Sequence, residues 1–207
     1  MRLYHFPLSS ASYRVRIALN LKGIDAESVS LRLRDGEQRD PAYAAVNPQC
    51  LVPTLVLDDG TALTQSQAII EYLDEAYPEP LLLPRDARAR AWVRAIAQAI
   101  ACDIHPLNNL RVLQYLECDL GQDPDAVKSW YAHWVRLGFD ALELQLADPV
   151  VAGRFCCGDA PGLADVFLVP QVRNARRYQI DLAAYPRIVA IDAACAELDA
   201  FRRASPE

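Results

Sequence analysis

The sequence predicts a mixed α/β domain at the N-terminus, followed by an all-helical domain. Up to residue 77, short alternating apolar stretches typical of strands are interleaved with stretches of helical spacing. From residue 86 onward we recognise helical patterns alone. A proline-rich break, Pro78-Glu79-Pro80, separates the two regions. We therefore expect one domain over residues 1–80 and a second over residues 87–207.

The first domain is predicted to have the order βαβα followed by ββα. Strands are expected at residues 2–6, 27–33, 54–57 and 62–64, and helices at 12–22, at 40–46 and from Ser66. Gly23 suits the C-cap of the first helix, because glycine adopts left-handed backbone conformations easily. Asp58-Asp59-Gly60 is typical of a turn between hairpin strands.

The second domain is predicted to contain five helical segments, at 86–103, 108–120, 123–146, 163–177 and 187–203. Pro106 is expected to break the chain between the first two segments, since proline lacks an N–H donor. Gly162 is an acceptable N-cap for the fourth segment. Asp165 would then lie in the first turn, where a negative charge is favourable.

Composition excludes several classes of function. The chain has 207 residues, of which 52% are hydrophobic, so it can bury a core. A net charge of −6 argues against nucleic-acid binding. No apolar run is long enough for a membrane span and no signal peptide is recognisable, so we expect a cytoplasmic protein. Six cysteines without a CxxC pair and three widely spaced histidines predict free thiols and no metal site.

Small hydroxyl residues cluster where the first helix must begin, at Ser9, Ser10 and Ser12. A helix start carries unpaired N–H groups and a partial positive charge, which favour a bound anion. Farther along this predicted helix, Arg14 and Arg16 are expected to pair with internal carboxylates or to face solvent.

Two weaker features follow the first helix. The Val52–Pro53 bond is either cis, turning the backbone of Val52 towards a bound peptide, or an ordinary trans bond at a strand start. Gln65-Ser66 begins the third helix. There Ser66 either acts as the N-cap alone or, with the amide of Gln65, also holds a carboxylate.

In combination, these segments resemble the glutathione-binding, thioredoxin-like domain of the cytosolic glutathione transferases. The stretch Ser9-Ser10-Ala11-Ser12-Tyr13-Arg14-Val15-Arg16-Ile17-Ala18-Leu19-Asn20-Leu21-Lys22-Gly23 resembles the signature of the zeta class. That class includes the maleylacetoacetate and maleylpyruvate isomerases. The resemblance covers nearly the whole chain and recurs at 47–53, 65–73, 103–109, 158–159 and 168–172.

The resemblance implies glutathione as cofactor, a small anionic keto-acid as substrate, and a homodimer. The residues it implies for glutathione are Ser9, Ser10, Val52, Pro53, Gln65, Ser66, His105, Asn108 and Asn109. Among these, Ser9 and Ser10 would face the sulfur and carry the catalysis. His105 either lies near the ligands or simply caps the broken helix.

For the substrate, the resemblance implies two arginines at the end of the fourth segment of the second domain. Arg177 matches an arginine that binds a substrate carboxylate, and Arg176 matches one in the maleylpyruvate isomerases. A guanidinium suits this role because its planar fork matches a carboxylate.

The implied activity is cis–trans isomerisation of a maleyl keto-acid in the breakdown of aromatic compounds. A thiolate that adds to a conjugated cis double bond leaves a single bond that can rotate, and its elimination leaves the trans alkene. A helix N-terminus and a hydroxyl donor both favour the thiolate.

Leu8 stands where the family usually has a substrate-binding arginine. This departure favours an alternative, a zeta-like transferase acting on other electrophiles such as α-halo acids. A non-catalytic glutathione-binding protein is the third interpretation.

Overall fold

The computed structural model describes residues 1–148 and 153–206. The chain forms two compact units, one of residues 1–82 together with the chain from Glu197 onward, and one of residues 83–196. The sequence placed the C-terminal residues with the helical domain, whereas their contacts fall within the N-terminal unit. The domain boundaries 1–80 and 87–207 stay a prediction.

The N-terminal unit is built on a four-stranded mixed sheet. Its elements are β1 (Arg2–His5), α1 (Ser10–Lys22), β2 (Glu27–Ser30), α2 (Pro41–Ala44), β3 (Thr54–Val56), β4 (Ala62–Thr64) and α3 (Ser66–Ala76). The strand order is β2-β1-β3-β4, with β1 parallel to β2 and the other two pairs antiparallel. The predicted order of elements is confirmed. Strand β2 is shorter than expected, since it ends at Ser30 and the chain then leads into a 3-10 turn over Leu33–Asp35.

Helix α1 is the central buried helix of this unit. Val15, Ile17 and Ala18 are fully buried, and Gly23 ends the helix in the left-handed conformation, as predicted. Arg14 is also buried, and its Nη1 donates to Ser66 Oγ at 3.3 Å. The expectation of a solvent-facing Arg14 is therefore wrong, because α1 is enclosed at that position.

The C-terminal end of α1 is anchored by a buried ion pair. Lys22 Nζ lies 2.5 Å from Asp74 Oδ1 and also donates to the carbonyls of Tyr77 and Pro80. Asp74 Oδ1 accepts in addition from the N–H of Leu82. These bonds fasten the segment after α3 to the N-terminal unit.

All regular secondary structure in the described part of the second unit is helical. It contains α4 (Ala87–Gln98), α5 (Leu110–Gln114), α6 (Pro124–Gln145), α7 (Leu163–Arg177) and α8 (Pro186–Ala196). A π-helical segment (Ala99–Ile104) extends α4, another (Tyr115–Asp119) extends α5, and a 3-10 turn (Pro106–Asn108) lies between them. The predicted break at Pro106 is confirmed.

Helix α7 has the bounds that the sequence predicts. Gly162 is its N-cap, and Asp165 in the first turn accepts from the N–H groups of Gly162 and Cys156 at 2.8 and 2.9 Å. Burial raises the pKa of Asp165, while these two bonds lower it. The carboxylate thus joins the preceding loop to the start of the helix.

The single helix predicted over 187–203 is wrong. The structure has two helices there, α8 and α9 (Asp199–Ala204), because Leu198 adopts an extended conformation. Helix α9 packs on α1, where Tyr13 Oη, Arg16 Nε and Asn20 Nδ2 donate to its backbone carbonyls. In the described part of the chain, no helix is long and apolar enough to cross a membrane.

Candidate functional site

The start of α1 presents a hydroxyl at the positive end of a helix. Ser9 is the N-cap, and its Oγ accepts from the N–H of Ser12 at 3.2 Å. Ser9 is half-buried, whereas Ser10, the first residue of the helix, is buried. The first turn contains no acidic residue, so no side chain there offsets the partial positive charge.

The turn before α1 is held by a basic side chain and a neutral histidine. Arg16 Nη2 donates to the carbonyl of Pro7 at 2.9 Å, and its Nη1 lies 3.2 Å from His5 Nδ1. Burial and the charge of Arg16 lower the pKa of His5 to about 4. His5 is therefore neutral at pH 7, accepting from Arg16 at Nδ1 and donating from Nε2 to Ser28 Oγ at 2.7 Å.

The segment before β3 has backbone groups that are available to pair with a ligand. The Val52–Pro53 bond is cis, one of the two alternatives that the sequence left open. Tyr43 Oη and Asn47 Nδ2 both donate to the carbonyl of Leu51, and so hold this segment in place. Within the described residues, the N–H and C=O of Val52 make no protein hydrogen bond. They can therefore pair with an extended peptide.

The start of α3 differs from the prediction. Gln65, not Ser66, is the N-cap, and its side chain makes no capping bond. Ser66 is the first helical residue, and its buried Oγ accepts from Arg14. Gln65 has a φ of 68°, which is uncommon for a residue other than glycine and recurs at functional sites. An N-terminus without a side-chain cap, and without an acidic residue in its first turn, suits an anion.

In the helical unit, the three candidate residues His105, Asn108 and Asn109 have different environments. His105 is half-buried, and its N–H donates to the carbonyl of Ile100. Asn109 is the N-cap of α5, with Oδ1 accepting from the N–H of Arg111. Asn108 is buried and donates to the carbonyl of Tyr131, while its Oδ1 has no partner among the described residues.

The two arginines at the end of α7 are not equivalent. Arg176 Nη1 lies 2.5 Å from Asp192 Oδ2. Burial raises the pKa of Asp192, and Arg176 opposes that rise. Arg177 makes no ion pair within residues 1–148 and 153–206, and it lines an open pocket of about 370 Å³.

Family models match most of the chain. Residues 3–81 match the glutathione S-transferase N-terminal domain, and residues 135–203 match the C-terminal domain. The chain belongs to the glutathione S-transferase family. The resemblance read from the sequence is confirmed, as is the predicted fold class, an α/β domain followed by a helical domain.

Relatives that match this glutathione S-transferase over nearly their whole length are named as isomerases. A maleylpyruvate isomerase from Ralstonia is 53% identical over 207 residues, covering 100% of this chain and 97% of the relative. A maleylacetoacetate isomerase from Pseudomonas aeruginosa is 49% identical over 208 residues, covering 100% and 96%.

Solved structures show the same similarity. A holo maleylpyruvate isomerase, described as a bacterial glutathione S-transferase of the zeta class, is 52% identical with a TM-score of 0.97 and coverage of 100% and 97%. A maleylacetoacetate isomerase from Methylobacterium extorquens with bound malonate and glutathione is 42% identical, with a TM-score of 0.97 and coverage of 100% and 96%.

Sequence reasoning missed the side chains that support the site of this glutathione S-transferase. Arg16 donates to the carbonyl of Pro7 in the turn before α1, and the buried Arg14 donates to Ser66, the first residue of α3. A signal was present for Arg14, because its neighbours one helical turn away, Ser10, Ala11, Ile17 and Ala18, are all apolar or small. A helix face of this kind is buried, and a charged residue on it then requires internal partners.

Proposed function

We propose that this glutathione S-transferase is a glutathione-dependent cis–trans isomerase of a maleyl keto-acid, either maleylacetoacetate or maleylpyruvate. The observation that carries the proposal is a hydroxyl N-cap at a helix start without first-turn acids, in a chain 53% identical to a maleylpyruvate isomerase. Such a site favours a thiolate, which this isomerisation requires.

The donor groups of the N-terminal unit fit glutathione. The start of α3, with Gln65 and Ser66, offers N–H groups to the γ-glutamyl carboxylate. The N–H and C=O of Val52, next to Pro53, offer strand-like pairing to the cysteinyl residue. The start of α1 offers its positive end to the sulfur. The γ-glutamyl carboxylate, the cysteinyl backbone and the sulfur thus each have a chemically matching group.

Ser9 is the better candidate for the residue that faces the sulfur. Its Oγ accepts from Ser12, and its own hydroxyl proton has no acceptor among the described residues. Ser10 is buried and has a further interaction of its own. We therefore assign thiolate stabilisation to Ser9 and a supporting role to Ser10.

Bound glutathione would supply the thiolate that adds to the double bond and leaves after rotation. The residues of this chain hold and orient the reactants. Ser9 donates to the sulfur and lowers its pKa, and Arg177 binds a carboxylate of the substrate through its unpaired guanidinium. Arg176 contributes less because Asp192 already holds it.

His105, Asn108 and Asn109 are proposed to lie near glutathione or the substrate. The unpartnered Oδ1 of Asn108 supports this for one of the three, because a buried acceptor without a partner is costly. The side-chain oxygen of Asn109 already serves as a helix cap, which leaves its amide N–H₂ for a ligand. We also propose a homodimer in the cytoplasm.

A direct assay tests the proposal. The purified protein is mixed with each maleyl keto-acid, with and without glutathione, and the product is identified by NMR. We expect glutathione-dependent formation of the trans isomer from at least one substrate. No turnover of either substrate, together with glutathione-dependent dehalogenation of an α-halo acid, would establish the alternative that Leu8 favours. Tight glutathione binding without an ultraviolet thiolate signal would indicate a non-catalytic binding protein.

A further inference from the structure

The open pocket at the end of α7 carries an excess of positive charge. Its charged side chains are Lys128, Arg177 and Glu117, two cations and one carboxylate. Apolar groups of Pro124 and Val127 form part of its wall. Its volume of about 370 Å³ is that of a small-molecule site.

Two contacts join the helices that carry these cations, α6 and α7. Lys128 Nζ donates to Gln179 Oε1 at 3.3 Å. One turn farther along α6, the ring of Tyr131 stacks on that of Tyr178 at 3.5 Å, with 7° between the planes. Residues three apart share a helix face, so Lys128 and Tyr131 together fasten the start of α6 to the end of α7. Arg177 directly precedes the stacked tyrosine.

The charge of Lys128 is uncompensated. Its partner is a neutral amide, and in the described part of the chain it makes no ion pair. Arg177 likewise lacks an ion pair there, in contrast to Arg176, which Asp192 holds. Two such cations in one pocket favour a ligand with two negative charges.

We propose that Lys128 is a second carboxylate-binding residue, which with Arg177 selects substrates that carry two carboxylates. This inference rests on the proposed function, since both maleyl keto-acids are dicarboxylates. Glu117 opposes the binding of a dianion and limits its affinity. Lys128 is thereby a specificity-determining residue that the family resemblance does not assign.

Steady-state kinetics of four variants test the inference. We expect Lys128→Gln to raise the KM for the keto-acid about tenfold with little change in kcat, since a lost ground-state contact weakens binding alone. Glu117→Gln should lower the same KM, and Lys128→Arg should preserve it. Arg136→Gln removes an exposed cation two turns along the same helix and should leave both constants unchanged. A KM for Lys128→Gln equal to that of the wild type would overturn the inference.

Binding of malonate separates this inference from the proposed function. Malonate is titrated calorimetrically into each variant in the presence of glutathione, which requires no turnover. We expect Lys128→Gln to weaken malonate binding about tenfold relative to the wild type. If the wild type fails to isomerise either keto-acid, the proposed function fails, yet this difference in affinity still supports a dicarboxylate pocket. Equal affinities in the two proteins contradict it.

Discussion

Single residues at the start of α1 support the thiolate role that we propose for this site. Ser9 is the helix cap, and its hydroxyl proton has no acceptor among the described residues. Arg16 and His5 fix the turn that carries it. The cap is a structural role and the hydroxyl donor a chemical one. The two roles are separable by substitution.

Replacing Ser9 by alanine removes both roles. We expect Ser9→Ala to lower kcat about 100-fold and to shift the acidic limb of the kcat/KM profile to higher pH, because the thiol loses a donor. The lost cap should cost about 1 kcal/mol in the free energy of unfolding. Ser9→Thr keeps a hydroxyl and should retain most of the activity. An unshifted pH profile in Ser9→Ala would assign the thiolate to another group, and Ser10→Ala is the matched comparison.

His5 makes stability depend on pH. In the unfolded chain its pKa is about 6.5, and in the folded protein it is about 4. Between these values the unfolded state binds more protons, so the contribution of His5 to the free energy of unfolding falls as the pH falls from about 6.5 to about 4 and does not change outside that window. We expect His5→Gln to lack this component. Urea unfolding of both proteins across this range measures it, and a constant difference between them would contradict the assignment.

At the scale of elements, contacts at the end of α1 stabilise the N-terminal unit. Lys22 at the end of α1 is fully buried, yet it donates to one carboxylate and two carbonyls from a different part of the chain. Removing one partner of such a pair leaves an uncompensated buried charge, whereas removing both partners leaves no buried charge at this position.

We expect Lys22→Met to lower the free energy of unfolding by about 3 kcal/mol, since Asp74 is left buried without its cation. The double variant Lys22→Met/Asp74→Leu should lose less than the sum of the two single variants. Chemical denaturation of the four proteins gives the coupling. The exposed pair of Arg203 and Asp199 is the control, and Arg203→Met should have little effect. Additive losses at Lys22 and Asp74 would show that the pair is not coupled.

The elements also show what a sequence can and cannot predict. The bounds of α7 were predicted correctly, because its capping residues and apolar spacing agree. The break at Leu198 was missed, because no proline or glycine marks it and packing of α9 on α1 decides it. The cap at Gln65 was missed for a related reason. A serine is the usual N-cap, and tertiary contacts instead draw Ser66 inward to Arg14.

The candidate site residues were proposed from residue type and from the family resemblance, without their geometry. The hydroxyl cluster at α1 was identified by residue type at a helix start, whereas the arginines of α7 were assigned through the resemblance alone. Which arginine is unpaired depends on Asp192, which lies on the next helix. Contacts between distant parts of the chain leave no local signal.

At the scale of the whole molecule, the N-terminal unit is completed by the end of the chain. Phe201 and Ala204 of α9 are almost fully buried, and three side chains of α1 donate to α9 carbonyls. Arg16 serves both the turn at Pro7 and the carbonyl of Ala204. The start of α1 therefore depends on residues almost 200 positions away in sequence.

Loss of the α9 contact should loosen α1 while leaving the helical unit intact. We expect Phe201→Ala to cost about 3–5 kcal/mol, as for other buried phenylalanines, and to weaken glutathione binding although Phe201 is not proposed to touch it. Native-state hydrogen exchange should show lower protection in α1 and α9 together, with α7 unchanged, because stability is lost within cooperative units. Arg202→Ala, at the exposed neighbouring position, is the control. Equal loss of protection in α7 would mean that the two units unfold cooperatively. Loss of protection confined to α9 would mean that the stability of α1 does not depend on its contacts with α9.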